Sequence, residues 1–132
     1  MATPPPGEHI RDIAPKLADL TRDVVFGDIW ERPQLKKRDR SLLVISALIA
    51  MNRVEQLPGH INRGLTNGLT KDEIIEIITH LAFYCGWPNS MSAIAIARKV
   101  FAEHKGRSLG EARHAGYLSP TGRGNARFRA VS

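Results

Sequence analysis

Apolar residues recur along this chain at three- and four-residue intervals in five stretches, and no stretch alternates long enough to make a strand. Leu17, Leu20 and Val24 predict a first helix over about 15–26, with Pro15 suited to its first turn and Gly27 ending it. Residues 27–35 read as a loop, and Pro33 biases Arg32 towards extended backbone. A second helix over about 37–51 is apolar almost all round, through Leu42, Leu43, Val44, Ile45, Ala47, Leu48 and Ile49. Such a helix is buried on more than one side, either centrally or against another subunit.

The third helix runs from about 55 or 57 to 67, with Pro58 in its first turn and Asn67-Gly68 as a left-handed C-cap. Thr70 and Glu73 then form a capping box opening a fourth helix. Ile74, Ile78, Leu81 and Cys85 line one face of that helix, with Ile75 and Ala82 beside it. Gly86-Trp87-Pro88 interrupts the chain, and a fifth helix extends from Pro88 to about His104 through Met91, Ala95, Val100 and Phe101. The class is all-α: a bundle of about five or six helices whose short connections favour antiparallel neighbours.

Composition changes this picture at the two ends. The 132 residues suit one domain. The net charge of +6 is unevenly placed: residues 1–104 hold 13 Lys/Arg against 12 Asp/Glu, and residues 105–132 hold six against one. The divisions expected are a flexible Pro-rich segment over 1–12, a helical domain over 13–104 and a basic Gly/Arg-rich tail over 105–132. A near-neutral domain argues against a nucleic-acid-binding fold. The tail offers neither an RGG repeat nor an aromatic platform for RNA. No apolar run reaches membrane-spanning length, and Met-Ala-Thr-Pro-Pro-Pro does not read as a signal peptide, so a cytoplasmic protein is expected. A single cysteine, Cys85, excludes an internal disulfide and any CxxC redox or zinc motif. The histidines show no metal-ligand spacing, and no metal is expected.

Two places could carry chemistry. Lys36, Lys37, Arg38 and Arg40 crowd the second helix's N-terminus, where the dipole is already positive and Asp39 alone opposes them. They form either a solvated basic end or an anion site. His60 shares a helical stripe with Leu57 and Gly64 beside the apolar Ile61 and Leu65. That edge-of-core position suits a proton carrier, and equally a structural histidine bonded to a carbonyl.

Several pieces of the chain resemble the carboxymuconolactone decarboxylase family. They are Phe26-Gly27-Asp28-Ile29-Trp30-Glu31-Arg32-Pro33 with Leu35, the Arg38-Asp39-Arg40-Ser41-Leu42 helix start, and His60-Ile61-Asn62-Arg63-Gly64-Leu65 with Asn67-Gly68-Leu69-Thr70 and Glu73-Ile74. Tyr84-Cys85-Gly86-Trp87-Pro88 and Ala97-Arg98-Lys99-Val100-Phe101 follow in order. The resemblance spans roughly 13–104. It implies an alkylhydroperoxidase-like helical fold completed as a homo-oligomer, commonly a trimer or hexamer. The peroxidase branch of that family carries CxxCxxxH; with His60 as its histidine, the cysteine positions fall on Arg53 and Gln56, so thiol peroxidase chemistry is not expected.

The other branch decarboxylates 4-carboxymuconolactone in aromatic catabolism without a cofactor. Electrons from the departing carboxylate pass through the double bond into the lactone carbonyl, and a proton is then delivered to carbon. The resemblance makes His60 the proton donor, Arg40 and Arg53 the anion-binding candidates with Arg32 a third, and Trp30 a pocket wall that excludes water. Glu55, Gln56 and Tyr84 complete the expected substrate contacts. Read without the resemblance, Trp30 suits the core equally, and Arg53 could merely pair with Glu55. Gln56 stands where the decarboxylase pattern has an acid four residues before the histidine, which leaves room for another acid or lactone as substrate. A different reaction on the same scaffold, or a non-catalytic oligomeric binding protein, are the alternatives.

Overall fold

The computed structural model describes residues 3–114, with side chains to His104. Among the described residues every regular element is helical. An N-terminal arm comprises a 3-10 turn at Glu8–Ile10, α1 (Pro15–Leu20), a π-helical continuation at Thr21–Phe26 and a second 3-10 turn at Ile29–Glu31. The body comprises α2 (Lys37–Ala50), α3 (Leu57–Thr66), α4 (Lys71–Cys85) and α5 (Trp87–His114).

The apolar stripes of α2, α3 and α4 meet as their spacing requires, whereas on α5 the buried line is not the expected one: Met91 and Ala95 face outward. Ile45 and Ile49 of α2, Leu57 and Ile61 of α3, Ile74 and Ile78 of α4, and Ala93, Ala97 and Val100 of α5 form one buried core, with Leu69 between α3 and α4. Each fully buried isoleucine or leucine contributes roughly 1.5–3 kcal/mol through lost contact with water. α3 lies close to α2 because Gly64 stands at the crossing: a β-carbon there would lie 3.0 Å from the Ile45 and Leu69 methyls. The two buried serines are partnered across helices. The Asn67 amide donates to the Ser41 hydroxyl at 3.0 Å, and the Ser90 hydroxyl donates to the Ile78 carbonyl at 2.8 Å.

The helix ends follow the sequence closely. Leu69 N–H donates to the Gly64 carbonyl and Gly68 N–H to that of Leu65, with Gly68 at φ +107°, a Schellman closure of α3. Glu73 N–H donates to the Thr70 hydroxyl, and Thr70 N–H to the Glu73 carboxylate, completing the capping box of α4. Glu73 also accepts from the Arg38 guanidinium, which ties the start of α4 to the start of α2. Thr70→Ala is expected to cost about 1 kcal/mol, measured by urea unfolding. A loss well above 2 kcal/mol would mean that the cap also holds Glu73 in place for Arg38.

Three boundaries differ from expectation. The first helix is α-helical only to Leu20 and widens into π-helix over Thr21–Phe26. The loop over 27–35 contains a 3-10 turn that carries Trp30 inward. α5 continues to His114, past the expected end at 104, and no proline interrupts residues 105–114. Gly106 and Gly110 each cost a helix about 1 kcal/mol without blocking it. The remainder of the expected tail, 115–132, lies outside the described residues. The arm is tied to itself by Arg11, which pairs with Glu8 at 3.0 Å and with Asp19 at 2.9 Å. It leaves Ile13, Leu17, Leu20, Val24 and Val25 exposed.

Candidate functional site

The arm and α3 meet in a cluster of four side chains. The π-helical segment ends by presenting Phe26, and the following turn brings Trp30 against it with ring centres 5.6 Å apart. Trp30 is buried, and its other neighbour is the His60 imidazole at 6.3 Å, inclined by 26°. One helical turn beyond His60, the Arg63 guanidinium lies 4.1 Å from the Phe26 ring centre and 5.7 Å from that of Trp30. The i,i+3 spacing places His60 and Arg63 side by side, and the i,i+4 spacing of Phe26 and Trp30 stacks two rings against them.

His60 is partly buried, and its Nδ1 is shut from solvent without a hydrogen-bond partner. Burial lowers its pKa below the ordinary histidine value, and the positive charge of Arg63 lowers it further. Both effects favour the neutral imidazole. Burial also lowers Arg63, because its charge has lost water. The structural reading of His60 as a histidine satisfied by a backbone carbonyl does not hold at Nδ1. What the cluster offers is a desolvated cation, an imidazole nitrogen with unused hydrogen-bonding capacity, and an aromatic wall. An anion seated beside Arg63 would favour the protonated imidazole, which could then deliver a proton.

The arginines expected at the site go elsewhere. Arg40 donates through Nε to the Leu35 carbonyl at 3.2 Å and through Nη2 to the Arg32 carbonyl at 3.1 Å, fixing the loop before α2. Of the other basic residues at that helix start, Lys37 pairs with Glu31 at 2.8 Å and Arg38 pairs with Asp39 and Glu73, whereas Lys36 is exposed. Arg32, Arg53, Glu55 and Gln56 are exposed, and Arg53 and Glu55 make no ion pair with one another. Gln56 is the residue from which α3 starts. Tyr84 is 75% exposed and packs on His80, with ring centres 4.9 Å apart. His60 and Trp30 are thus brought together, whereas Phe26 and Arg63 join them without having been singled out in the sequence. The signal for both was present: Arg63 lies one turn from His60 on a shared face, and Phe26 lies four residues before Trp30.

The clefts on the body include three that His60 does not line. One of about 200 Å³ lies between α4 and α5 against Phe83, Trp87 and Met91. One of about 190 Å³ lies between α3 and α5 beside Asn62 and Glu103, and one of about 280 Å³ lies against Glu73, Glu76 and His80. The arm's rings lie against the His60 and Arg63 side chains, both of which stay partly exposed. Among the described residues no three His, Cys, Asp or Glu side chains converge as a metal site, and no helix is long and apolar enough to cross a membrane.

The profile described as the carboxymuconolactone decarboxylase family matches residues 15–99, which include the arm's rings and the whole α3 cluster. A 4-carboxymuconolactone decarboxylase of Acinetobacter baylyi is 34% identical over 96 residues, 73% of this chain and 72% of that protein. Nitrosuccinic acid decarboxylase npaB of Metarhizium robertsii is 33% identical over 82 residues, 62% of this chain and 57% of that protein.

Proposed function

Because the chain belongs to the carboxymuconolactone decarboxylase family, we propose that it is a carboxy-lyase that removes CO2 from 4-carboxymuconolactone or a related small acid in aromatic-compound catabolism. The observation that carries this reading is the His60–Trp30–Phe26–Arg63 cluster, where, among the described residues, an imidazole nitrogen without a partner lies beside a cation that meets no acid. Two relatives named as decarboxylases support lyase chemistry, and their different names support a family open to more than one acid.

His60 supplies the proton that replaces CO2, and Trp30 keeps water from the carbanion. The substrate's own electron sink holds the negative charge, so the reaction needs no oxidant or reductant. The enzyme acts in the cytoplasm as a homo-oligomer, a trimer or hexamer; exposed Ile13, Leu17 and Leu20 of the arm, and Phe83, Trp87 and Met91 at the α4–α5 groove, support an assembly that covers these apolar faces. The purified chain, its mass measured by light scattering, is tested by ultraviolet loss of 4-carboxymuconolactone together with CO2 release. Stoichiometric CO2 is expected. An oligomeric, folded protein that releases CO2 from neither this lactone nor nitrosuccinate would overturn the decarboxylase reading.

A further inference from the structure

Four arginines among the described residues are partly buried: Arg11, Arg38, Arg40 and Arg63. Arg11 and Arg38 pair with carboxylates, and Arg40 donates to two backbone carbonyls. Arg63 meets only the faces of Phe26 and Trp30. Cation–π contact returns part of the solvation that the guanidinium has lost, and it leaves the in-plane N–H groups of a stacked guanidinium free to meet a planar anion. A carboxylate fits that fork with two parallel hydrogen bonds.

We propose that Arg63 is the anchor for the carboxylate that remains on the substrate, and that the departing carboxylate lies against the aromatic wall. This deepens the decarboxylase reading above and rests on it. The direction follows from where charge goes. As the C–COO⁻ bond breaks, its electron pair moves into the sink, CO2 leaves uncharged, and His60 gives a proton to carbon. A cation paired with the departing carboxylate would stabilise the ground state and lose that interaction at the transition state. A cation paired with the retained carboxylate holds the substrate equally in both.

The substrate class follows from the same geometry. In 4-carboxymuconolactone and in nitrosuccinic acid, the carbon that loses CO2 also bears a CH2–COO⁻ arm. The sinks differ, an unsaturated lactone in one compound and a nitro group in the other. An anchor for the carboxymethyl arm accommodates both, so Arg63 defines the class as carboxymethyl-bearing acids with an adjacent electron sink.

The test uses succinate as an unreactive probe of the carboxymethyl anchor, titrated calorimetrically into wild type, Arg63→Gln and, as a control on the exposed face of α5, Arg98→Gln. Arg63→Gln is expected to weaken binding at least roughly tenfold, in the range of a lost charged hydrogen bond, while Arg98→Gln leaves it unchanged. With a turned-over substrate, KM should rise by a similar factor and kcat should change less. A folded Arg63→Gln that binds succinate as wild type does, or a wild type that does not bind it, overturns the proposal. Should Arg63→Gln fail to fold, phenylglyoxal labelling of wild type gives the same reading: succinate is expected to slow modification of Arg63, and unchanged labelling overturns the anchor. The two readings fail separately. Succinate binding through Arg63 without turnover of either acid removes the decarboxylase and keeps the anchor, whereas turnover with an unaltered KM in Arg63→Gln does the reverse.

Discussion

Replacing His60 with alanine is expected to lower turnover by roughly 10²–10⁴-fold, the range of a positioned proton donor, while the helical content stays that of the wild type. The imidazole is at the rim of the core rather than in it, so its loss removes one stacked neighbour of Trp30 and no helix contact of the Ile45–Ile61–Ile74 core. Retained turnover in a folded His60→Ala would assign the proton to another group.

The pH profile adds a second reading. Burial and Arg63 hold His60 below the ordinary histidine value of about 6.5 in the free protein. If the imidazolium donates the proton, kcat/KM falls as pH rises through that lowered value. An anion on Arg63 cancels the repulsion, so kcat holds to higher pH than kcat/KM. Stability moves the opposite way. With the folded pKa depressed, the unfolded chain binds more protons between that value and about 6.5, so stability rises with pH across this window and is complete above it. Denaturant midpoints at pH 5 and pH 7 should therefore differ more in wild type than in His60→Gln.

Trp30→Ala is expected to destabilise the protein by about 3–5 kcal/mol, the usual cost of deleting a large buried aromatic side chain. Trp30 is 8% exposed and stands between Phe26 at 5.6 Å and His60 at 6.3 Å. Its removal leaves a void where the arm meets α3, and Arg63 keeps only the Phe26 face. Urea unfolding checks the magnitude. A loss under about 1 kcal/mol would show that the arm collapses to fill the gap, and the site would then have to be reconsidered as loosely packed. Trp30→Phe is expected to recover most of the stability, because a smaller ring can still stack on both sides.

Local chemistry made the helix ends legible in advance. Thr70 with Glu73 and Asn67-Gly68 act through atoms within five residues of one another, so their roles are nearly independent of the rest of the fold. The core was legible for a related reason, since Ile74, Ile78 and Ile61 announce their face by period alone. The site was only half legible. His60 and Trp30 stand in recognisable motifs, but an arginine's partner depends on what the chain folds against it. Arg40 looked free at a helix start and is held by the Leu35 and Arg32 carbonyls. Arg63 looked like one more polar residue beside Gly64, and burial against two rings from a segment more than thirty residues earlier makes it distinctive. The π-helical stretch before Phe26 had no visible cause, since neither a proline nor an internal glycine interrupts Thr21–Phe26.

The arm touches the body principally through the Ile29–Glu31 turn and the rings of Phe26 and Trp30. The side chains proposed to wall the reaction are therefore also the latch of this segment. A substitution that enlarges the wall to admit a bulkier acid also loosens the latch, and one that tightens the latch narrows the space. Along this lineage, a new substrate and a firmer fold would be selected at the same few positions, so a change in either is expected to require a second mutation elsewhere on the arm.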